Sequence, residues 1–144
     1  MAHAEGTITI NRPVDVVYDF LLDGMNNPLW RSGVVDIQQL PGKPSGVGAV
    51  FKQRLKGPGG GRIDGDYEIV ELKPNLLIKF QVIAGPARPE GTYQFESLGQ
   101  VTRLTFILHF EPKGVARLMD GVIQKTMLSE VAALEHLKKV IESR

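Results

Sequence analysis

The chain has 144 residues and a nearly balanced charge, with 17 Lys and Arg against 16 Asp and Glu and a formal net charge of +1. This length allows a single domain over residues 1–144 with a sizeable core, and the charge balance gives no reason to expect nucleic acid or an anionic membrane surface as a partner. Cysteine is absent, which excludes disulfides, thiolate metal sites and a cysteine nucleophile.

The first part of the chain predicts one strand followed by short helices. Residues 7–10 are β-branched throughout, which is typical of a strand. A proline followed by apolar residues at helical spacing predicts a short amphipathic helix over residues 13–24. Residues 24–32 contain two asparagines, a proline and the only tryptophan, Trp30, and predict a second short helical turn or loop.

From residue 34 the apolar period changes to two, which predicts strands joined by turns rich in glycine and proline. The predicted strands cover residues 34–40, 49–55, 63–72, 76–84, 92–97 and 102–110. Connections this short require antiparallel neighbours, because parallel strands need a crossover of a dozen or more residues. The one longer link holds the two short helices. This order predicts an α+β fold with its helices grouped on one face of the sheet.

The last stretch, residues 115–143, predicts one long helix. It lacks proline, and its apolar residues recur at steps of three and four: Val115, Met119, Val122, Ile123, Met127, Val131, Leu134, Leu137 and Ile141. A helix of this length extends about 40 Å, so its apolar side is too long for one short element to cover. We therefore expect it to lie against one curved sheet, with a cavity between the two.

Several side chains in step with the apolar faces are candidates to line that cavity. They are Trp30, Phe51, Gln53, Tyr67, Phe80, Tyr93, Phe95, Phe106, Met119, Val122 and Ile123. An apolar wall with a few hydrogen-bonding groups is typical of a small-molecule site. Alternatively, the tyrosines are ordinary core residues whose hydroxyls reach the rim. Trp30 is either a plug beneath the helix or part of the entrance.

The sequence shows no motif of hydrolytic, metal or nucleotide chemistry. The three histidines are scattered without acidic residues at metal-ligand spacing, so we predict no metal site and no cofactor. No serine lies in a Gly-x-Ser-x-Gly turn. The glycine-rich residues 56–61 run into a strand rather than the helix of a Walker loop, so they form a plain hairpin tip or border the cavity mouth. Candidate acid–base groups, without supporting spacing, are Tyr67, Tyr93, Asp23 and Arg54.

The order of elements resembles the START/Bet v 1-like (SRPBCC) superfamily, and most closely its polyketide cyclase/dehydrase branch. The resemblance covers nearly the whole chain. It rests on Arg12-Pro13 followed by Val17-Tyr18 and Phe20-Leu21, on Asn27-Pro28-x-Trp30, and on Gly46-x-Gly48 before the third strand. The resemblance implies a helix-grip fold, with a seven-stranded antiparallel sheet wrapped around a long C-terminal helix and two short helices between strands 1 and 2. It also implies a deep apolar cavity.

We therefore predict that the chain binds a small hydrophobic or amphipathic molecule, lipid- or polyketide-like, between the sheet and the C-terminal helix. The alternatives are a polyketide cyclase/dehydratase-type enzyme and a co-chaperone-like interaction module that uses its outer surface. We expect no nucleic acid partner and either a monomer or a homodimer. The first residues show no signal peptide and no apolar run approaches the roughly 20 residues that cross a bilayer, so we expect a cytoplasmic location without membrane insertion.

Overall fold

The computed structural model describes residues 2–85, 87–111 and 120–144. The described helices are α1 (Val14–Leu22), α2 (Asn27–Trp30), α3 (Asp120–Ala132) and α4 (Leu134–Glu142), with short 3-10 turns at Gly24–Asn26 and Pro58–Gly60. The described strands are β1 (Ala2–Ile10), β2 (Val34–Gln39), β3 (Val50–Lys56), β4 (Arg62–Asp64), β5 (Tyr67–Lys73), β6 (Leu77–Val82), β7 (Glu90–Ser97) and β8 (Thr102–Phe110).

The strands form one antiparallel sheet in the order β1-β8-β7-β6-β5-β3-β2, with β4 paired to β3 off this path. The first and last strands are neighbours, and their register runs from Ala2 opposite Phe110 to Ile10 opposite Thr102. The seven strands of the main path curl around the C-terminal helical segment, and the two short helices lie between β1 and β2. The predicted α+β, helix-grip architecture is confirmed.

The prediction of one strand over residues 63–72 is wrong, because the chain turns at Gly65 and Asp66 and forms β4 and β5 instead. The Gly65 N–H donates to the Gln53 carbonyl at 2.8 Å, and the Asp66 carboxylate accepts from the Gln53 N–H at 3.2 Å. Both new strands pair with β3. Inward and outward side chains still alternate through the break, so the apolar period contained no sign of it.

The predicted long C-terminal helix is confirmed over its described part, with one irregular residue between α3 and α4. Two helices, α3 and α4, meet at Ala133, whose N–H bonds to the Glu130 carbonyl three residues earlier at 3.2 Å, which is the tighter 3-10 pattern. Helical backbone angles continue through Ala133, with φ −67° and ψ −9°. The predicted start of the helix, including Val115 and Met119, lies outside the described residues.

The two helices pack against the sheet to different extents. In α4, Leu134, Leu137 and Ile141 are all buried. Among the described side chains of α3, Met127 alone reaches the same degree of burial, and Ile123 is half-buried. The core is therefore closed beneath α4 and leaves space beneath α3.

Candidate functional site

A cavity of about 160 Å³ lies beneath α3. Its wall is mainly apolar and is formed from both the sheet and the helix: Leu55, Phe80, Phe106, Leu108, Ile123 and Met127. The strand residues point inward because alternate side chains share one face of the sheet. Ile123 and Met127 are four residues apart and therefore lie on the same face of α3. This arrangement gives an apolar pocket with a helix as one wall.

One side of the main cavity is lined by residues of β4, by Val82 at the end of β6, and by Ala87 and Pro89 before β7. The residue after β6 is joined to the β4–β5 turn, since the Ile83 N–H donates to the Asp66 carbonyl at 2.7 Å. A Cβ on Gly85 would lie only 2.0 Å from the Asp64 carbonyl oxygen, so glycine permits this close approach. The glycine-rich turn leads directly into β4, and its position at the cavity mouth stays a prediction.

An ion pair forms one polar end of the cavity. The Arg31 Nε donates to the Glu130 Oε2 at 2.7 Å, and the two side chains are only 10% and 20% exposed. Burial acts to lower the pKa of the Arg31 guanidinium, but Glu130, Tyr93 and Tyr67 together act in the opposite direction and the pKa is raised. Arg31 therefore remains a cation inside a largely apolar wall.

A second cavity of about 10 Å³, roughly the room that one water needs, adjoins Arg31 on its other side. The Asn27 amide nitrogen donates to the Gln53 Oε1 at 3.1 Å and to the Tyr67 hydroxyl at 3.0 Å. The Gln53 Nε2 in turn donates to the Gly65 carbonyl at 3.3 Å. Both amide side chains are almost fully buried, so this network satisfies polar groups that burial would otherwise penalise.

Tyr67 and Tyr93 also line this smaller cavity. Burial raises the pKa of Tyr67 to about 12 and raises the pKa of Tyr93 as well, although the nearby Arg31 cation acts in the opposite direction on both. Both phenols therefore keep their protons at neutral pH. They can donate a hydrogen bond, but neither is suited to act as a base.

The structure divides the predicted site residues among these two cavities, the core and a separate, more open pocket of about 380 Å³ that Phe51 and Asp23 line. Gln53, Phe80, Phe106 and Ile123 line the main cavity, while Tyr67, Tyr93 and again Phe80 line the smaller one. Met119 and the side chain of Val122 lie outside the described part of the chain. Contact of any of these residues with a ligand stays a prediction.

Trp30, Phe51 and Phe95 line neither of these two cavities. The Trp30 ring is 1% exposed and meets Phe106 edge to face, with ring centroids 6.4 Å apart. Its carbonyl lies 3.2 Å from the His136 Nδ1 of α4. Of the two predicted roles for Trp30, this position fits the plug beneath the C-terminal helices. Phe51 stacks on Tyr67, and Phe95 packs against α1.

Two of the proposed acid–base candidates lie away from the main cavity. The Asp23 carboxylate accepts from the Met25 N–H at 3.0 Å and so caps the 3-10 turn that follows α1. Arg54 pairs with Asp36 and is 47% exposed. Their partners give each a structural role, and they do not line the main cavity.

Sequence reasoning missed Arg31, Glu130 and Asn27. Glu130 follows Ile123 by seven positions and Met127 by three, so a charged residue sits on the cavity-facing side of the helix. That interruption of the apolar face was a usable signal. Arg31 and Asn27 lie in an irregular segment with no periodicity, so no comparable pattern indicated their direction.

The described residues contain neither a metal-binding group of side chains nor a membrane-spanning helix. No group of three or more His, Asp or Glu side chains there is arranged to hold a metal ion. None of the helices in those ranges combines the length and apolarity that spanning a membrane requires.

Comparison with known proteins gives one family and many similar folds. The family model described as polyketide cyclase / dehydrase and lipid transport matches residues 1–142. No curated protein matches the sequence. A solved structure from Thermus thermophilus is similar at 20% identity and TM-score 0.79, covering 98% of this chain and 97% of its own.

Two other solved structures come from named groups of proteins. A START superfamily protein from Mycobacterium smegmatis is 15% identical with TM-score 0.71, covering 100% of this chain and 97% of its own. The Zhui aromatase/cyclase from Streptomyces sp. R1128 is 16% identical with TM-score 0.66, covering 96% of this chain and 94% of its own. At these identities the likeness establishes a shared fold.

Proposed function

We propose, from the premise that this chain belongs to the polyketide cyclase / dehydrase and lipid transport family, that it binds a small hydrophobic or amphipathic molecule, lipid- or polyketide-like, beneath α3. The family resemblance seen in the sequence is confirmed. The observation that carries the proposal is the apolar cavity of about 160 Å³ with an ion pair at one end. An apolar cavity of about 150 Å³ is enough to bind benzene.

Apolar burial would supply most of the affinity. A ligand that buries roughly 250 Å² of apolar surface gains about 6 kcal/mol at about 25 cal/mol per Å². Part of this gain is offset by the loss of translational and rotational freedom on binding. The polar groups at the end of the cavity would then set the orientation of the ligand more than its affinity.

A cyclase/dehydratase-type activity is the second candidate, and the position of Tyr93 favours it. Tyr93 and Arg31 line the same small cavity, so a phenol that keeps its proton lies beside a fixed cation. Such a pair can protonate or stabilise a developing oxyanion. Tyr93→Phe would then abolish turnover while ligand affinity stays close to wild type. The co-chaperone-like alternative predicts a filled core. It is less well supported, because a cavity lies beneath α3.

A steric block tests the binding site directly. Ile123→Trp places an indole in the main cavity, whereas Leu128→Trp adds the same group to a position of α3 that is 52% exposed. We expect wild-type protein and Leu128→Trp to take up the neutral fluorescent probe N-phenyl-1-naphthylamine and Ile123→Trp to lose at least about tenfold in affinity. Equal uptake by all three proteins would show that the molecule does not bind beneath α3.

Native mass spectrometry of protein purified gently from its host provides a test with the natural ligand. A small molecule retained by wild type and Leu128→Trp, and lost from Ile123→Trp, supports the proposal and gives the ligand's mass. Retention of the same molecule by Ile123→Trp would contradict it.

A further inference from the structure

We propose that the cavity selects a ligand with a neutral head group that both donates and accepts hydrogen bonds, as a primary carboxamide or the enol of a 1,3-diketone does, over a carboxylate or an ammonium head group. This inference rests on the proposed function, because it specifies the ligand of the same cavity. It is carried by the Arg31–Glu130 pair, by the charges around it and by the hydrogen bonds already made nearby.

The ion pair leaves hydrogen-bonding capacity open to the cavity. A guanidinium has five N–H donors, and within the described residues only the Arg31 Nε among them has a hydrogen-bond partner, Glu130 Oε2. Across the same residues, the one buried side-chain nitrogen or oxygen without a partner is the Trp30 Nε1. The terminal nitrogens of Arg31 are therefore accessible, although the residue as a whole is only 9% exposed. Because Arg31 lines both cavities, that accessible surface faces the interior.

The charges of the wall disfavour an ionic head group of either sign. Glu130 already neutralises Arg31 at 2.7 Å, so an incoming carboxylate meets a compensated cation and a nearby anion. The Asp64 side chain is exposed on the outer face of the sheet beside Arg54, so Glu130 supplies the carboxylate of this wall. An ammonium group would in turn be repelled by Arg31. Interactions between charges are stronger in a poorly hydrated site than in water, so these repulsions weigh more than they would on the surface.

A neutral head group can engage both members of the pair. Arg31 presents donors and Glu130 presents an acceptor side by side, which suits a ligand with an acceptor and a donor on neighbouring atoms. Gln53 is a weaker candidate for this role, because its Oε1 accepts from Asn27 and its Nε2 donates to the Gly65 carbonyl. The ion pair is therefore the charged feature of a wall whose other polar side chains include Gln53 and Thr126.

Three unbranched ligands of eight carbon atoms each test the proposal by calorimetric titration of the full chain at neutral pH. We expect octanamide to bind at least about tenfold more tightly than octanoate and octylamine, a difference of about 1.4 kcal/mol. Tighter or equal binding of either ion would overturn the inference while leaving the binding function intact. If none of the three ligands binds and N-phenyl-1-naphthylamine does not bind either, the proposed function fails together with the inference.

Removal of one charge provides an internal check. Glu130→Gln leaves the Arg31 cation uncompensated, so we expect the preference to change in favour of octanoate. The matched control is Asp64→Asn, which makes the same change of carboxylate to amide on the outer face of β4 and should leave octanamide preferred. An unchanged preference in folded Glu130→Gln would overturn the inference. The wild-type ranking remains decisive if that variant does not fold.

Discussion

At the scale of single residues, burial determines the protonation of the two tyrosines at the polar end of the aromatic core. Tyr93 stacks on Phe106 with ring centroids 4.5 Å apart, and Tyr67 stacks on Phe51 at 5.2 Å. Both residues border a space with room for about one water, so an ionised phenol there would be poorly solvated. This is why both groups are better donors than bases.

Alkaline titration tests that assignment. Because the pKa of Tyr67 in the folded state, about 12, lies above its value of about 10 in an unfolded chain, its contribution to stability is complete below about pH 10. The contribution is lost as the pH rises toward 12, by up to about 1.4 kcal/mol per pH unit. We expect tyrosinate absorbance from Tyr67 and Tyr93 to appear together with unfolding.

Removing both hydroxyls provides the comparison. The double variant Tyr67→Phe, Tyr93→Phe lacks these two ionisable groups and should lose less stability than wild type above about pH 10, measured by denaturant unfolding at a series of pH values. Gradual ionisation of both tyrosines near pH 10 in a protein that stays folded would contradict the assignment.

Residue-scale prediction from the sequence succeeded where side chains follow a period. Phe80 and Phe106 lie on strands in which inward and outward side chains alternate, and this alternation predicted that both rings point inward. Arg31 was missed because its direction depends on how the chain leaves α2 for β2. Glu130 was missed because the face of the helix was predicted from its apolar residues alone. Its spacing from Ile123 and Met127 nevertheless places it on the cavity side.

At the scale of elements, the sheet shapes the cavity through a close contact between β6 and β7. Gly91 lies opposite Phe80, and a Cβ at Gly91 would come within 2.1 Å of the Phe80 ring. Phe80 lines both cavities, so this missing side chain is what allows the ring to lie back against β7. Glycine is therefore required here for space, in a strand where it otherwise lowers stability.

A matched pair of glycine substitutions tests this contact. Gly91→Ala should destabilise the protein by about 1–3 kcal/mol, because the Phe80 ring must move toward the cavities, and should also weaken binding of N-phenyl-1-naphthylamine. Gly121→Ala, in α3 with open space around the added Cβ, should be neutral or stabilising by up to about 1 kcal/mol. Denaturant unfolding measures both effects. If Gly91→Ala leaves the stability unchanged, the Phe80 ring can adopt another position without loss of packing.

Element prediction worked for most strands because a half-buried sheet imposes a period of two on its sequence. It failed at residues 63–72 because Gly65 and Asp66 turn the backbone without interrupting that period. The long C-terminal helix was predicted correctly, but the irregularity at Ala133 was not, because helical angles and apolar spacing both continue through that residue. Breaks that preserve the side-chain period depend on backbone hydrogen bonds, and these are set by neighbouring elements rather than by local sequence.

At the scale of the whole molecule, the two C-terminal helices have different roles: α4 packs tightly against the sheet, whereas α3 covers the cavity. Leu137 and Ile141 of α4 are almost completely buried against the sheet, and Glu142 at its end accepts from the Asn11 N–H at 2.7 Å. The α3 segment instead forms one wall of the cavity. A ligand beneath α3 would supply apolar contacts that the empty protein does not make there.

Hydrogen exchange measured along the chain tests this division. Local opening requires little loss of apolar contact where a helix covers a cavity, whereas α4 can open only with much of the core. We expect amides of α3 to exchange at least about tenfold faster than those of α4 in the free protein.

Octanamide should slow exchange in α3 and leave α4 nearly unchanged. Ile123→Trp, which fills the cavity from within, should protect α3 without added ligand, and Leu128→Trp should not. Equal protection of both helices in the free protein would mean that α3 is already as firmly packed as α4 and that a ligand does not enter by local opening of α3.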